Sequence, residues 1–97
     1  MFSKQEIFSS NITRKLVFQG KQYDFIPGAV DVKSGEFPEA VCDLATGTAR
    51  IWLADFGTPP QMGDLITVFE TECRILSIHY DNFRETAKLA YGDKYNA

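Results

Sequence analysis

Four side chains in this sequence have the chemistry that nucleophilic catalysis or metal binding uses: Cys42, Cys73, His79 and Asp81. A cysteine becomes a strong nucleophile when a histidine, itself oriented by a carboxylate, removes its proton. The sequence around these residues contains no nucleophile elbow and no oxyanion loop. One histidine and two cysteines also lack the short pairwise spacings of zinc sites. We therefore expect no enzyme activity, no catalytic residue, no metal site and no cofactor, and a structural role for His79.

The strongest structural pattern in the chain is a β-hairpin predicted within residues 58–80. Two apolar runs, residues 65–69 and 73–80, are rich in β-branched and aromatic residues, and the polar residues 70–72 separate them. The Pro59-Pro60 corner precedes the first run. Strict alternation along the second run puts Cys73, Ile75, Ser77 and His79 on one face and Leu76, Ile78 and Tyr80 on the other.

The remaining strands are predicted from shorter alternating patterns. They cover residues 15–18, 22–26, 39–44, 49–54 and 85–91. The first two are expected to pair as a hairpin in which Leu16 and Phe18 share the buried face of Tyr23 and Phe25. In the last strand, Ala87, Leu89 and Tyr91 are expected to face inward and Thr86, Lys88 and Ala90 outward. Trp52 lies either on the second face of a sandwich or at an interface. Turn signals every eight to twelve residues predict an all-β fold, a small β-barrel or sandwich of six to seven short antiparallel strands with long loops.

The length of 97 residues predicts one domain, with residues 1–12 as an N-terminal arm and residues 93–97 as a frayed tail. An apolar fraction of 44%, including eight Phe and four Tyr, is enough for a core. A chain this short is expected to be marginally stable unless a partner covers more of its surface. The pattern indicates two reduced cysteines, no signal peptide and no membrane span, hence a protein made in the cytosol.

The net charge of −3 argues against sequence-independent binding of nucleic-acid phosphates, because such binding requires a basic surface. The excess of acidic over basic side chains lies after residue 41. Tyr23, Phe25, Trp52 and Phe69 could nevertheless form an aromatic platform of the kind on which OB-folds stack single-stranded bases. The missing basic groove argues against this platform, and a core made of the same four residues is the simpler explanation.

The hairpin region resembles the small head–tail joining proteins of tailed bacteriophages, a group that includes the tail-attachment protein of lambdoid phages. The similar stretch is IWLADFGTPPQMGDLITVFETECRILSIHYDNFRETAKLAYG, residues 51–92. The upstream FQGKQYDFIPGAVD, residues 18–31, is also similar to the opening of that family, where a short hairpin leads into a long loop. The Pro59-Pro60 corner and the short N-terminal arm differ from the lambdoid pattern.

The resemblance implies a structural virion protein that assembles as a ring at the phage neck, around the DNA channel. Its partners would be other copies of itself and the portal or adaptor and tail proteins, with assembly in the host cytoplasm. DNA would pass through the channel without specific binding, and no membrane would be involved. The expected contact residues lie on two loops and the arm: Phe2, Ile7, Phe8, Val32, Lys33, Glu36, Phe37, Phe56, Pro59, Pro60, Gln61 and Met62.

An alternative function is a small β-barrel binding module, OB-like, with a nucleic-acid-binding or accessory-subunit role. Clustering of Lys15, Lys21, Arg50 and Arg74 around an aromatic face would favour that module, whereas apolar side chains exposed on the loops would favour the neck protein. Phe37 is either a core plug, that is, a buried residue that packs at the base of its loop, or an exposed contact residue. We expect the core plug, since most single aromatic residues are buried.

Overall fold

Six antiparallel strands form a closed barrel in the described part of the chain. A computed structural model describes Lys4, Phe8, residues 12–81 and residues 85–94. The strands are β1 (Arg14–Phe18), β2 (Lys21–Gly28), β3 (Gly47–Trp52), β4 (Leu65–Val68), β5 (Thr71–Tyr80) and β6 (Thr86–Asp93). Their order is β1-β2-β3-β6-β5-β4, and β4 pairs with β1 to close the barrel. The predicted all-β barrel is confirmed, and the sandwich alternative is not formed.

The barrel is built from two three-stranded halves that have the same strand order. Strands β1, β2 and β3 are consecutive antiparallel neighbours, and so are β4, β5 and β6. The β3–β6 ladder joins the halves through six residue pairs, from Gly47↔Tyr91 to Trp52↔Thr86. The β1–β4 ladder has only two pairs, Leu16↔Val68 and Val17↔Thr67. The barrel therefore has one long closure and one short closure.

In each half, the first two strands are joined by a two-residue hairpin turn, and both turn residues have positive φ. Gln19 and Gly20 have φ values of 52° and 80°, and Phe69 and Glu70 have values of 51° and 66°. Type I′ hairpin turns require this geometry because their twist matches that of the paired strands. The prediction placed the second turn in residues 70–72, whereas β5 already begins at Thr71. An aromatic residue with positive φ is a strained choice, and the sequence pattern gives no indication of it.

The core consists of side chains that point into the barrel from all six strands. Phe25 and Ile51 are fully buried, and burying such a side chain stabilises the fold by roughly 1.5–3 kcal/mol. The predicted inward positions on β1 and β6 are confirmed. The core cluster contains Leu16, Phe18, Phe25, Ala49, Ile51, Phe56, Ile66, Val68, Cys73, Ile75, Ala87, Leu89 and Tyr91.

A bulge in β5 changes which side chains face the core. Ile75 pairs with Tyr91 and Ser77 pairs with Ala90, so Leu76 is an extra residue on its strand. A bulged residue inverts the alternation beyond it. Ile78 therefore packs against the core, and the prediction that Ser77 and His79 share the face of Cys73 is wrong.

Residues 39–44 form a helix, α1 (Glu39–Leu44), where the sequence pattern predicted a strand. The carbonyl of Pro38 accepts the N–H groups of Val41 and Cys42 at 3.0 and 3.1 Å and so starts the helix. A short apolar run fits a helix or a strand by periodicity alone. Both edges of β3 are already paired, one with β2 and the other with β6. Residues 39–44 therefore have no free edge of β3 with which to pair as a strand.

The long β2–β3 connection covers the outer face of β6. A Cβ atom at Gly92 would lie 2.8 Å from the carbonyl oxygen of Leu44, so this strand and the end of α1 are in direct contact. Thr86 and Ala90 point out of the barrel, as predicted, yet both are buried. Because β6 is covered on both faces, its pairing extends through Asp93, two residues beyond the predicted end.

Parts of the predicted N-terminal arm and tail, and the residues just after β5, lie outside the described residues. These are Phe2 and Ile7 of the arm, residues 82–84 and residues 95–97. None of the helical segments in the described ranges has the length and apolar character needed to cross a membrane. Both cysteines are free thiols.

Candidate partner-binding surface

The β2–β3 connection presents Val32 and Lys33 on a short 3₁₀ turn (Val32–Ser34). The carboxylate of Asp31 accepts the N–H of Lys33 at 2.9 Å, which caps the start of the turn. Gly35, with a φ of 73°, ends it. The side chains of Val32 and Lys33 are exposed, and Val32 has 55% of its surface accessible. These two predicted contact residues therefore lie on a rigid, outward-facing turn.

Glu36 and Phe37 hold this connection against the barrel. The Glu36 carboxylate accepts a hydrogen bond from the Lys88 ammonium at 2.9 Å, and this bond is the main cause that lowers the pKa of Glu36. Phe37 is buried and meets the ring of His79 edge-on, with the ring centroids 6.2 Å apart. The core-plug interpretation of Phe37 therefore fits the structure. Its side chain is not available to a partner unless the loop moves.

The β3–β4 connection has a buried half and an exposed half. Phe56 stacks on Tyr23 with centroids 3.9 Å apart and meets Phe18 edge-on at 6.0 Å, so it closes one end of the barrel. Pro60 is also buried. Pro59, Gln61 and Met62 are exposed, and Met62 has 66% of its surface accessible. Of the five predicted contact residues in this loop, Phe56 and Pro60 face the protein interior.

The exposed end of this connection is a tight turn held by Asp64. The N–H of Gln61 donates to the Asp64 carboxylate at 2.9 Å, and the N–H of Asp64 donates to the Gln61 carbonyl at 3.1 Å. Gly63 has a φ of 90°, which a side chain would oppose. Gly63 and Asp64 also form backbone hydrogen bonds with Ile75 at 2.8 and 2.9 Å. The turn therefore presents Met62 from a fixed backbone.

Lys4 and Phe8 tie the N-terminal arm to the barrel. The Lys4 ammonium lies 2.5 Å from the Asp55 carboxylate and 3.4 Å from that of Asp24. The same ammonium lies 5.8 Å from the centre of the Phe8 ring. Phe8 is buried, so this predicted contact residue packs on its own chain. The hydrogen bond from Lys15 to Asp24, at 2.5 Å, is the main cause that lowers the pKa of Asp24.

The exposed apolar surface includes residues that sequence reasoning missed. Phe69, at the strained turn between β4 and β5, has 55% of its surface accessible. Leu65 begins β4 beside a groove of about 570 Å³ that lies between the splayed ends of β1 and β4. Phe69 and Glu70 are neither Gly nor Asn, so no local signal in the sequence could have placed Phe69 at a turn. Among the described residues, the other exposed large apolar side chains are Ile12, Leu44 and Tyr80.

The Cys/His/Asp combination is not assembled in the structure. Cys73 lies inside the barrel, where desolvation, followed by the charge of Asp93, raises the pKa of its thiol. His79 lies on the outer face beyond the bulge. It is joined there by Glu36 and Asp81, and one donor atom from each of the three lies within 4.8 Å of the others. No local pattern indicated this cluster, because Glu36 comes from a distant loop.

The basic and aromatic residues of the alternative binding module do not form one exposed face. Lys15 binds Asp24, and Arg50 lies 3.5 Å from Asp81. The guanidinium of Arg74 donates to the carbonyls of Gly63 and Lys94. Of the proposed platform, Phe25 is completely buried and Tyr23 lies against Phe56. The barrel also has six strands, where an OB-fold has five.

Comparison with known proteins gives no relative from which a role could be transferred: no family model, curated protein or solved structure matches this chain. The functional assignment therefore depends on the sequence resemblance and on the surface described above. That surface combines a rigid closed barrel with apolar side chains exposed on fixed turns.

Proposed function

We propose that this protein is a non-enzymatic structural subunit of a bacteriophage neck, which joins head to tail as a ring of identical copies around the DNA channel. The observation that carries the proposal is the exposure of Val32 and Met62 on two hydrogen-bonded turns, which lie in the two loops expected to make contacts. Its partners are other copies of itself and the portal or adaptor and tail proteins. It is assembled in the host cytoplasm and resides in the virion neck.

The size of the chain is compatible with ring assembly. A standard interface buries about 800 Å² on each partner, so contacts with two neighbours would cover about 1600 Å². This is roughly a quarter of the chain's 6082 Å² of accessible surface. Exposed apolar side chains such as Met62 and Val32 supply the kind of area that stabilises such contacts. A small domain with limited internal burial gains stability when its neighbours cover these side chains.

The charge pattern supports a channel that lets DNA pass. Lys15, Lys88 and Lys94 each pair with a carboxylate of the same chain, at 2.5, 2.9 and 2.9 Å. Paired lysines attract phosphates less strongly than free ones, because the neighbouring carboxylate cancels most of their field. The binding-module alternative has less support, since three of the four basic residues on which it depends are engaged within the chain.

The test is the mass of the purified protein in solution, measured by multi-angle light scattering over a range of concentrations, with and without short single-stranded DNA. We expect association that grows with concentration and no uptake of DNA. A Val32→Asp/Met62→Asp variant should lose the association. Leu44→Asp is the matched control, since Leu44 is an exposed apolar residue outside the two predicted contact segments. A monomer that binds DNA in a salt-sensitive manner would contradict the proposal and favour the binding module.

A further inference from the structure

The cluster of Glu36, His79 and Asp81 combines residues from two separate parts of the chain. Glu36 comes from the β2–β3 connection, His79 from the end of β5 and Asp81 from the residue after that strand. One donor atom of each side chain lies within 4.8 Å of the others, and all three side chains are half-buried. An imidazole nitrogen and two carboxylate oxygens are a ligand set that zinc and related divalent ions accept.

Other polar contacts hold both carboxylates in position and leave each a second oxygen. Glu36 accepts from Lys88 with Oε1, while its Oε2 lies 3.9 Å from Nε2 of His79. Asp81 accepts from the Thr86 hydroxyl with Oδ2, and the same oxygen lies 3.5 Å from Nε of Arg50. Hydrogen bonds of this kind orient metal ligands in known sites.

We propose that Glu36, His79 and Asp81 form a site for a divalent transition metal, with zinc as the ion that fits best. Zinc binds histidine nitrogen and carboxylate oxygen at about 2.0–2.2 Å, so tetrahedral ligand atoms lie about 3.4 Å apart. The present separations, up to 4.8 Å, shorten to this value through small rotations of three partly exposed side chains. Water fills the fourth position, as in sites with three protein ligands.

The two cations beside the cluster set the strength of binding. Lys88 and Arg50 already balance the charges of Glu36 and Asp81. A metal ion therefore enters a locally neutral cluster and is repelled by both cations, which keeps the affinity moderate. Removing the Lys88 charge removes one of these repulsions and frees Oε1 of Glu36, which Lys88 otherwise binds. A Lys88→Met variant should therefore bind zinc more tightly than the unmodified chain.

Metal binding at this site would join the β2–β3 connection directly to β5. Glu36 and Phe37 already contact β6 and His79 there, through an ion pair and an aromatic edge contact. A coordinate bond would add a stronger connection at the same place. The inference does not depend on the proposed neck function, because the cluster stands on its own geometry.

The test is calorimetric titration of the full chain with Zn²⁺ alone, under a phosphine reductant that keeps the thiols reduced. We expect one ion per chain. Asp81→Asn and His79→Gln should each weaken zinc binding by at least about tenfold. Tenfold is the lower end of the affinity loss seen when a residue that only supports a metal ligand is removed, and these two residues are proposed ligands themselves. Lys88→Met should strengthen it. Glu72→Gln is the matched control, because Glu72 pairs with Lys94 elsewhere on the barrel.

Circular dichroism of each variant separates loss of the site from loss of the fold. The optical spectrum of the Co²⁺-substituted protein reports on thiolate ligands, which the proposed site lacks. Absence of saturable Zn²⁺ binding overturns the proposal. So does equal affinity in His79→Gln, or a cobalt–thiolate band that disappears in Cys42→Ser, since either result places the ion elsewhere.

Discussion

Replacing Phe56 with alanine tests whether this loop residue serves the fold or a partner. Phe56 was predicted to be a contact residue, yet it is 6% exposed, with Tyr23 stacked at 3.9 Å and Phe18 edge-on at 6.0 Å. Truncating a buried phenylalanine costs about 3–5 kcal/mol, which includes the cavity left behind. A domain of this size is stable by only about 5–15 kcal/mol. We therefore expect the variant to lose a large part of its stability as a monomer.

The assay is urea and thermal unfolding followed by circular dichroism, at concentrations where the protein does not associate. At about 4–8 °C per kcal/mol for a domain of this length, the midpoint of Phe56→Ala should fall by roughly 12–40 °C. Met62→Ala is the matched control from the same loop. With 66% of its surface exposed, Met62 should contribute within about 0.5 kcal/mol. Unchanged stability in Phe56→Ala would refute its assignment to the core.

Three further predictions concern the turn, the carboxylates and the thiols. Glu70→Gly should raise the free energy of unfolding by about 0.5–1 kcal/mol, because glycine relieves a positive φ of 66°, whereas Glu72→Gly on the neighbouring strand should lower it by a similar amount. If urea titrations showed that the free energy of unfolding changes in the same direction in both variants, the positive φ of Glu70 would not be a source of strain. The lowered pKa of Asp24, caused mainly by its hydrogen bond from a lysine, contributes stability that is present above the ordinary carboxyl pKa. This stability is lost as the pH falls through the lower folded value, so urea midpoints measured between about pH 5 and pH 3 should fall less in Asp24→Asn. Burial raises the pKa of the Cys73 thiol, so a native-state assay with a thiol reagent should show one fast group, Cys42; two fast groups would show that the barrel interior is accessible.

The hairpins were predictable because their information is local. Alternation along residues 22–26 predicted Tyr23 and Phe25 opposite Leu16 and Phe18, and the first hairpin pairs Leu16 with Tyr23. A period of two over a few residues marks the inward face of a strand without knowledge of its neighbours. The inward set of β6 was predicted in the same way.

Features that depend on distant partners were not predictable from the pattern. The bulge at Leu76 exists because β6 sets the register of β5, and no local signal marks the extra residue. Helix α1 forms where the closed barrel leaves no strand edge beside β3. The sequence pattern places Phe56 in a loop and Phe69 in a strand, and only the tertiary fold buries the first and exposes the second. The cluster of Glu36, His79 and Asp81 was missed for the same reason, since Glu36 meets His79 only when the long connection crosses the outside of the barrel.

The unequal closures of the barrel determine where it opens first. The halves share six residue pairs between β3 and β6 but only two between β1 and β4. Since local openings begin where the fewest hydrogen bonds must break, separation of β1 from β4 is the least costly fluctuation. The opened form is a curved six-stranded sheet with two unpaired edges, and such edges pair readily with those of another copy. Pairing of the freed β1 edge of one chain with the freed β4 edge of another would restore the lost ladder between two copies, so the short closure is the place where two chains could join edge to edge.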